Sequence, residues 1–145
     1  MIGLLQRVTH ASVTIDDNIV TSINSGLLVF IGIEKSDSEL QARQLIKKII
    51  SYRIFADDEG KMNLSLKDIN GGLLLVPQFT LAADTRKGLR PGFSDAAPPD
   101  QGKQLFEFLT DHANEQYSPV ETGIFGADMQ ITLNNNGPVT FWLQT

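Results

Sequence analysis

The sequence contains no cysteine and only two histidines, His10 and His112, among its 145 residues. The absence of cysteine excludes disulfide bonds, zinc sites built on thiolates and a cysteine nucleophile. Two histidines leave little material for a metal site built on imidazole. We therefore expect no metal and no cofactor, so any chemistry must depend on other groups.

Long hydrophobic runs are also missing. No segment approaches the roughly 20 consecutive apolar residues that a helix needs to cross a bilayer. Residues 1–7 lack the order of basic, apolar and small residues that marks a secretion signal. These absences predict a cytoplasmic protein with no membrane segment.

Positive charge is scarce, since 12 lysines and arginines stand against 17 acidic residues and give a net charge of −5. This balance argues against a protein that coats nucleic acid nonspecifically, because that mode needs many cationic contacts with phosphates. The composition still permits a local basic site. Arg86, Lys87 and Arg90 lie within five residues around Gly88, which predicts either a solvated loop or a contact with a few phosphates.

Local patterns predict a strand-rich fold. Polar residues alternate with Val13 and Ile15, and the turn-forming residues 16–18 follow, which predicts a β-hairpin. The continuously apolar run 27–33 is typical of a strand covered on both faces. Further strands are predicted at residues 73–81, 120–124, 129–133 and 139–143.

Two amphipathic helices are predicted as well. Ser36 and Glu39 have the spacing of a capping box, and apolar residues recur at helical spacing from Ala42 to Ile50. A second helix begins near Pro99, which suits a first helical turn. Many strands and two helices in no strict alternation predict an α+β fold, with a mostly antiparallel mixed sheet or barrel-like core and the two helices packed on it. The whole chain, residues 1–145, is expected to form a single domain.

The common catalytic motifs are absent. There is no Gly-x-Ser-x-Gly elbow and no glycine-rich phosphate loop. His112 falls on the apolar face of the second predicted helix, which favours a structural histidine over a general base, and His10 is assigned to a turn between strands. The acidic residues 57–59 precede Gly60 and predict an exposed turn rather than a buried carboxylate pair.

Gln78, Phe79 and Thr80 follow the apolar strand 73–76. The Gln78 side chain can both donate and accept, and the backbone amides of Phe79 and Thr80 could stabilise an oxyanion if no strand partner occupies them. The Thr80 hydroxyl could also act as a nucleophile, although a threonine without a nearby base is a weak one. The alternative is an ordinary strand end.

Gly137 and Pro138 form a Gly-Pro pair between two strand-like runs. The cis form of a bond before proline lies only about 0.5–1 kcal/mol above the trans form. A cis bond would turn two successive carbonyls toward the same side, as an acceptor pair for the ammonium group of a ligand. The alternative is a type II or type VI turn between strands.

Blocks that match one protein family occur in order along nearly the whole chain, at residues 5–8, 11–14, 53–55, 60–66, 78–81, 83–88, 96–99, 122–123, 125–129 and 135–140. Together they resemble the D-aminoacyl-tRNA deacylases, of the bacterial D-tyrosyl-tRNA type. The resemblance implies a homodimeric enzyme with active sites at the subunit interface and no cofactor. Its substrate would be the ester between a D-amino acid, or glycine, and the terminal adenosine of tRNA.

The resemblance also implies roles for single residues. In that family the Gly-Pro bond is cis and enters the pocket of the partner subunit. The carbonyls of Gly137 and Pro138 would therefore hold the substrate's amino group and leave no room for an L side chain. Arg7 would steady this segment through its fork of donors.

The pocket itself is implied to be lined by Gln78, Phe79 and Thr80. Backbone amides would stabilise the oxyanion there, and the neighbouring ribose 2′-hydroxyl would assist. Phe125 and Met129 would pack near the adenosine. The cations of residues 86–90 remain the candidates for tRNA phosphates.

Pro77 departs from the family pattern, which has serine at this position. Proline removes a hydroxyl and a backbone N–H, so this position cannot supply an N–H contact to the substrate. Activity is expected to survive if the amides of Phe79 and Thr80 are the oxyanion donors. Proline also predicts a sheet edge or a bulge here. The alternative function is a dimer that binds tRNA acceptor ends without catalysis.

Overall fold

The computed structural model describes every residue from Met1 to Thr145 and contains eight strands and three helices. The strands are β1 (Ile2–Ile15), β2 (Asn18–Ile23), β3 (Gly26–Gly32), β4 (Phe55–Ala56), β5 (Met62–Leu64), β6 (Gly72–Pro77), β7 (Val120–Thr122) and β8 (Gln130–Gln144). The helices are α1 (Glu39–Ser51), α2 (Leu66–Ile69) and α3 (Pro99–Gln116), and a 3-10 turn (Phe79–Ala82) follows β6. None of the helices combines the length and the hydrophobicity that a bilayer crossing requires.

Strand β1 organises the sheet because it pairs with three other strands, all antiparallel. Its first half pairs with β3, its second half pairs with β2, and β8 runs along its other side. Strands β3, β6 and β7 continue the sheet in parallel. The predicted α+β class with a mixed, mostly antiparallel sheet is confirmed.

The sheet curls back toward itself, since β2 crosses over the end of β6 and approaches β7. The Gly72 amide donates to the Ser25 carbonyl at 3.0 Å. The Thr21 hydroxyl donates to the Glu121 carboxylate at 2.5 Å. These contacts give the core its barrel-like form.

Strands β3 and β6 are buried on both faces, as the continuous apolar run of β3 predicts. Leu27 and Val29 face α1 and α3 in the larger core. Leu28, Leu74 and Val76 face the other way, into a smaller core closed by β2 and the first half of β8. Because successive side chains of a strand point to opposite faces, the central strands must be apolar at every position.

Both predicted amphipathic helices are present, and α3 begins at Pro99 as expected. The predicted N-cap of α1 is wrong by two residues, because Ser38 rather than Ser36 caps the helix. The Ser38 hydroxyl accepts from the Leu40 amide, and the Gln41 side chain accepts from the Ser38 amide at 3.0 Å. The Asp37 carboxylate instead accepts from the Glu34 amide at 2.7 Å, which keeps the preceding residues in a turn.

Two strand predictions around the candidate site are corrected. The predicted strand 73–81 ends at Pro77 and gives way to the 3-10 turn. Pro77 does not lie on an edge strand, because β6 lies between β3 and β7. Proline is tolerated there because β7 pairs only as far as Leu75, and beyond that point no neighbour on this side needs an N–H donor.

The histidine and Gly-Pro predictions are corrected too. His10 lies inside the continuous strand β1 rather than in a turn. The two strands predicted on either side of Gly137 and Pro138 form one strand, β8, and the pair lies in a bulge within it. The hairpin at residues 16–18 is confirmed, with Asp16 and Asp17 in the left-handed region at φ of 48° and 61°.

Gly26→Ala should weaken the fold strongly, because Gly26 of β3 lies directly against the backbone of Gly72 in β6. A Cβ on Gly26 would lie 2.0 Å from the Gly72 carbonyl oxygen and 2.6 Å from its amide nitrogen. Backbone atoms of a central strand cannot move aside, so we expect the free energy of unfolding to fall by about 3 kcal/mol or more. Urea denaturation measures this change.

Gly92→Ala is the matched control, because the nearest atoms to its new Cβ lie 3.8 Å away. We expect it to change the free energy of unfolding by about 0.5 kcal/mol or less. Equal effects of the two substitutions would contradict the importance of the contact between Gly26 and Gly72.

Candidate functional site

A cavity of about 320 Å³ opens at the carboxyl end of β6. The loop between β7 and β8 forms its opposite wall. Its lining residues are Phe30, Val76, Pro77, Gln78, Phe79, Phe125, Gly126, Ala127, Asp128, Met129 and Ile131. A mostly apolar hollow with a few polar groups at a strand end is typical of a small-ligand site.

Five of the residues selected from the sequence therefore meet at one cavity: Pro77, Gln78, Phe79, Phe125 and Met129. Thr80 does not line it. Asp128 lines the cavity and is its only charged residue. The sequence did not single it out, because one aspartate in a loop forms no recognisable pattern.

The 3-10 turn begins with the amides of Phe79, which lines the cavity, and of Thr80, the next residue. The first amide of the turn with a carbonyl acceptor is that of Leu81, which donates to the Gln78 carbonyl at 3.2 Å. The amides of Phe79 and Thr80 precede it, where N–H groups have no acceptor within the turn. The Gln78 amide is held by β3, since it donates to the Ile31 carbonyl at 2.7 Å. The end of the sheet thus fixes the direction in which the turn starts.

The side chains of Gln78 and Thr80 contact each other. The Thr80 hydroxyl donates to Gln78 Oε1 at 2.8 Å, which leaves Gln78 Nε2 available as a donor. An amide oxygen is a poor proton acceptor, so this contact does not activate the hydroxyl as a nucleophile. Neither histidine contacts Thr80, because His112 contacts Arg43 and Glu115 on the helices and His10 pairs with Asn134 in the second half of β1. The geometry favours a positioning role for Thr80.

Gly137 and Pro138 lie in a wide bulge of β8. Gln6 of β1 pairs with Thr140 and Val8 pairs with Asn135, so four residues of β8 stand opposite Arg7 alone. The bond between Gly137 and Pro138 is cis. Both residues are exposed in the single chain.

Arg7 and Asn135 hold this bulge in place. Arg7 Nε donates to the Asn136 carbonyl at 2.9 Å, and Arg7 Nη1 donates to the Ile54 carbonyl at 2.6 Å. Asn135 closes the base, because its side chain accepts from the Val139 amide at 2.6 Å and donates to the Val139 carbonyl at 3.1 Å. The side-chain amide replaces a strand partner for Val139, so the exposed tip stands on a rigid base.

Gly137 is the residue that this shape requires. Its φ is +153°, and a Cβ there would lie 2.5 Å from the Val139 side chain and 2.8 Å from the Val139 amide nitrogen. The bulge does not line the cavity of its own chain. The structure therefore separates the selected residues into two groups, the cavity group and the bulge group with Arg7.

The basic segment carries less free charge than its sequence indicates. Arg86 forms a two-pronged contact with Asp84, at 2.8 Å from Nε and 2.9 Å from Nη2. Hydrogen bonds from Arg86 lower the pKa of Asp84 from its ordinary value to about 2. Lys87 and Arg90 are exposed and make no ion pair. Phe79 connects the cavity to the end of this loop, because its ring centre lies 5.1 Å from that of Phe93.

Comparison with protein families gives a match over residues 4–144, to the family described as D-Tyr-tRNA(Tyr) deacylase. The D-aminoacyl-tRNA deacylase of Pseudomonas putida is 58% identical over 144 residues, which cover 99% of each chain. That of Nitrosococcus oceani is 56% identical, covering 99% of this chain and 93% of the relative. That of Stutzerimonas stutzeri is 55% identical over the full length of both.

Solved structures give a consistent result. A protein described as c-Myc DNA unwinding element binding protein superposes with a TM-score of 0.96 at 34% identity, covering 100% of this chain and 99% of that one. A structure described as a probable eukaryotic D-amino acid tRNA deacylase superposes with a TM-score of 0.85, covering 99% and 98% of the two chains. Its identity is 18%, so it shows the shared fold alone.

Arg86→Gln should return the pKa of Asp84 toward that of a free aspartate, about 3.9. The folded pKa of about 2 lies below that value, so the pairing stabilises the loop at neutral pH and is lost as the pH falls through about 2. Carboxyl NMR titration measures the midpoint. Lys87→Gln is the control and should leave it near 2, and an unchanged midpoint in Arg86→Gln would contradict the assigned cause.

Proposed function

The chain belongs to the D-Tyr-tRNA(Tyr) deacylase family and is a hydrolase that deacylates D-aminoacyl-tRNA, and from this premise we propose how it selects and cleaves its substrate. The cavity at the end of β6 takes the aminoacyl ester and the terminal adenosine. The bulge of a second copy of the chain closes the cavity. Two copies then form a homodimer with two equivalent sites at the subunit interface.

The observation that carries this proposal is the position of the bulge. Gly137 and Pro138 are exposed and rigidly braced, yet they do not reach the cavity of their own chain. An exposed and braced segment of this kind is suited to a partner's site, and we assign its two backbone carbonyls as the acceptors there. The cavity in turn is open and holds few groups that could orient an amino acid.

Selection of handedness follows from fixed backbone atoms. The carbonyls of Gly137 and Pro138 bind the α-ammonium group, which fixes three directions around the α-carbon: ammonium, ester and side chain. A D side chain then points out of the cavity, whereas an L side chain would collide with the bulge. Steric rejection by rigid atoms discriminates more sharply than added attraction does. Glycine has no side chain to reject, so glycyl-tRNA is also hydrolysed.

Cleavage depends on positioned water and backbone donors. The amides of Phe79 and Thr80 stabilise the oxyanion that forms when water attacks the ester carbonyl, and Gln78 Nε2 is a third donor at the same edge. Aminoacyl esters are already reactive, so alignment and charge stabilisation supply much of the acceleration. The ribose 2′-hydroxyl beside the ester assists the proton transfers.

Pro77 lines the cavity and has no N–H to donate. It lies one residue before Gln78, and its ring is packed close to Gly123. The two proposed oxyanion amides lie after it in the chain, so the loss of its own N–H leaves them intact. Phe125 and Met129 form the opposite wall, against the adenosine.

Wild-type protein should hydrolyse D-tyrosyl-tRNA and leave L-tyrosyl-tRNA intact, with a difference in kcat/KM of about 100-fold or more for a steric block of this kind. Release of labelled tyrosine from the two charged tRNAs measures the rates. Glycyl-tRNA should be cleaved as well. Equal rates for the D and L esters would sink the assigned role of the bulge, and tRNA binding without any turnover would show a binding module instead.

A second prediction tests whether the bulge of one subunit completes the cavity of the other. Phe79→Pro removes one oxyanion donor at a position where proline suits the first turn, and should cost about 100-fold in kcat relative to Phe79→Ala. Gly137→Ala distorts the bulge through its clash with Val139. Coexpression of Phe79→Pro chains with Gly137→Ala chains should restore about a quarter of wild-type activity, because half of randomly paired dimers hold one intact site of two.

The control is coexpression of differently tagged chains that carry the same variant, which should stay inactive. Circular dichroism and size-exclusion chromatography check that each variant folds and pairs. If mixing restores no activity although mixed dimers form, the bulge does not complete a partner's cavity.

A further inference from the structure

A groove between α1 and α3, with α2 at one end, is separate from the cavity described above. Its volume is about 450 Å³. Its lining residues are Arg43, Gln44, Lys47, Ile50, Ser51, Lys67, His112 and Gln116. The two hollows share no residue, so a ligand of the groove would not occupy the catalytic cavity.

The lining carries positive charge and no carboxylate. Arg43, Lys47 and Lys67 supply the charge, and almost all the other lining residues are polar. Neither Lys47 nor Lys67 forms an ion pair, whereas the lysines at 35, 61 and 103 each pair with an acidic side chain. Lys48, in a shallow hollow beside the groove, is also unpaired. In a chain with a net charge of −5, three of the four lysines without an ion pair are thus gathered at one surface, and the fourth is Lys87.

One wall of the groove is held in place by stacking. The Arg43 guanidinium lies 4.7 Å from the centre of the Phe108 ring, and the His112 ring stacks on the same phenylalanine at 6.2 Å. Two carboxylates stand near this wall, since Glu39 lies 3.6 Å from Arg43 and Glu115 lies 3.3 Å from His112. Neither contacts the two lysines. The wall is therefore partly neutralised, and the free charge of the groove is that of Lys47 and Lys67.

Helix α3 sets the distance from the groove to the cavity. Gly102, near its start, packs against Phe125, which lines the cavity. His112 lies ten residues further along the same helix, or about 15 Å at 1.5 Å per residue. A polynucleotide whose 3′ end occupies the cavity extends well beyond this distance.

We propose that the groove binds backbone phosphates of the tRNA whose 3′ end occupies the cavity, with Lys47 and Lys67 as the contacting cations. This inference rests on the proposed function, since it requires tRNA at the cavity. Both lysines are exposed, and an ammonium on a flexible stem can follow successive phosphates without reading sequence. A tight site for a free phosphate would instead need buried donors, and the groove offers none.

The test compares Lys47→Gln/Lys67→Gln with Lys61→Gln/Lys103→Gln, which removes the same charge from paired lysines outside the groove. Fluorescence anisotropy measures binding of uncharged tRNA from 50 to 300 mM potassium chloride. The groove variant should bind tRNA about tenfold more weakly than the control at the low-salt end, and its slope of log affinity against log salt should be shallower by about 1.5. Hydrolysis of D-tyrosyl-adenosine, which has no phosphates, should stay within about twofold of wild type, because the groove lies outside the catalytic cavity.

Equal tRNA affinity and salt slope in the two variants would overturn the groove proposal. So would a groove variant whose only defect is lost binding of inorganic phosphate, because that would assign the groove to a free anion. Failure of the proposed function looks different, since even the wild type would then leave D-tyrosyl-adenosine and D-tyrosyl-tRNA intact. The anisotropy measurement uses uncharged tRNA and therefore reports on the groove in either case.

Discussion

The bulge of β8 opposite Arg7 is the constraint on which the rest of the site depends. Four residues of β8 lie opposite a single residue of β1 and therefore cannot pair with it in the regular antiparallel pattern. Their backbone groups lose strand partners, and an unpaired buried group is costly. Arg7 and Asn135 supply the missing partners from side chains. The base of the bulge is satisfied in this way, and the tip at Gly137 and Pro138 stays exposed, where we propose that its carbonyls bind a ligand.

The cavity is likewise built from a rigid base and a short exposed segment. The apolar alternation of β3 and β6 fills two cores and fixes where β6 ends. The polar turn that follows is short and tied to β3 through Gln78. The large cores thus provide stability, while the groups proposed for chemistry lie on short segments at the ends and edges of strands, where a rigid scaffold displays them.

Local patterns were enough to predict much of the fold. The hairpin at Asp16 and Asp17, the buried strand β3 and the helix start at Pro99 each depend on neighbours in sequence, and each was found. The errors at Ser36 and at Pro77 have a common cause. Which serine caps α1 depends on Asp37, whose carboxylate accepts from the Met1 amino group at 2.5 Å, and whether a proline lies on an edge depends on where β7 stops. Both are decided by contacts between distant residues.

The candidate site was harder to predict for a different reason. The cavity residues Gln78 and Phe79 were selected because they end an apolar strand and because of the family likeness. The bracing role of Asn135 is hard to see in the sequence, since its contact with Val139 needs the bulge and its contact with Gln6 needs β1 and β8 to pair. The basic groove is likewise assembled from three helices. Its lysines are separated by 20 residues in the sequence, so no run of charge reveals them.

A protein with a net negative charge that acts on tRNA must overcome repulsion between like charges. The arrangement of its cations explains how it can do so. At physiological ionic strength the field of an exposed charge decays within about 8 Å. The net charge of −5 therefore acts weakly at a distance, and the approach of RNA depends on the charges at the contact itself. Pairing at Lys35, Lys61 and Lys103 neutralises three of the four lysines that lie away from the groove and its neighbour Lys48, and leaves Lys87 unpaired. Lysines left unpaired on one groove then favour the orientation that brings the phosphates to it, while acidic surfaces repel the others. Scarcity of positive charge thus helps to orient the substrate, because few wrong orientations are attractive.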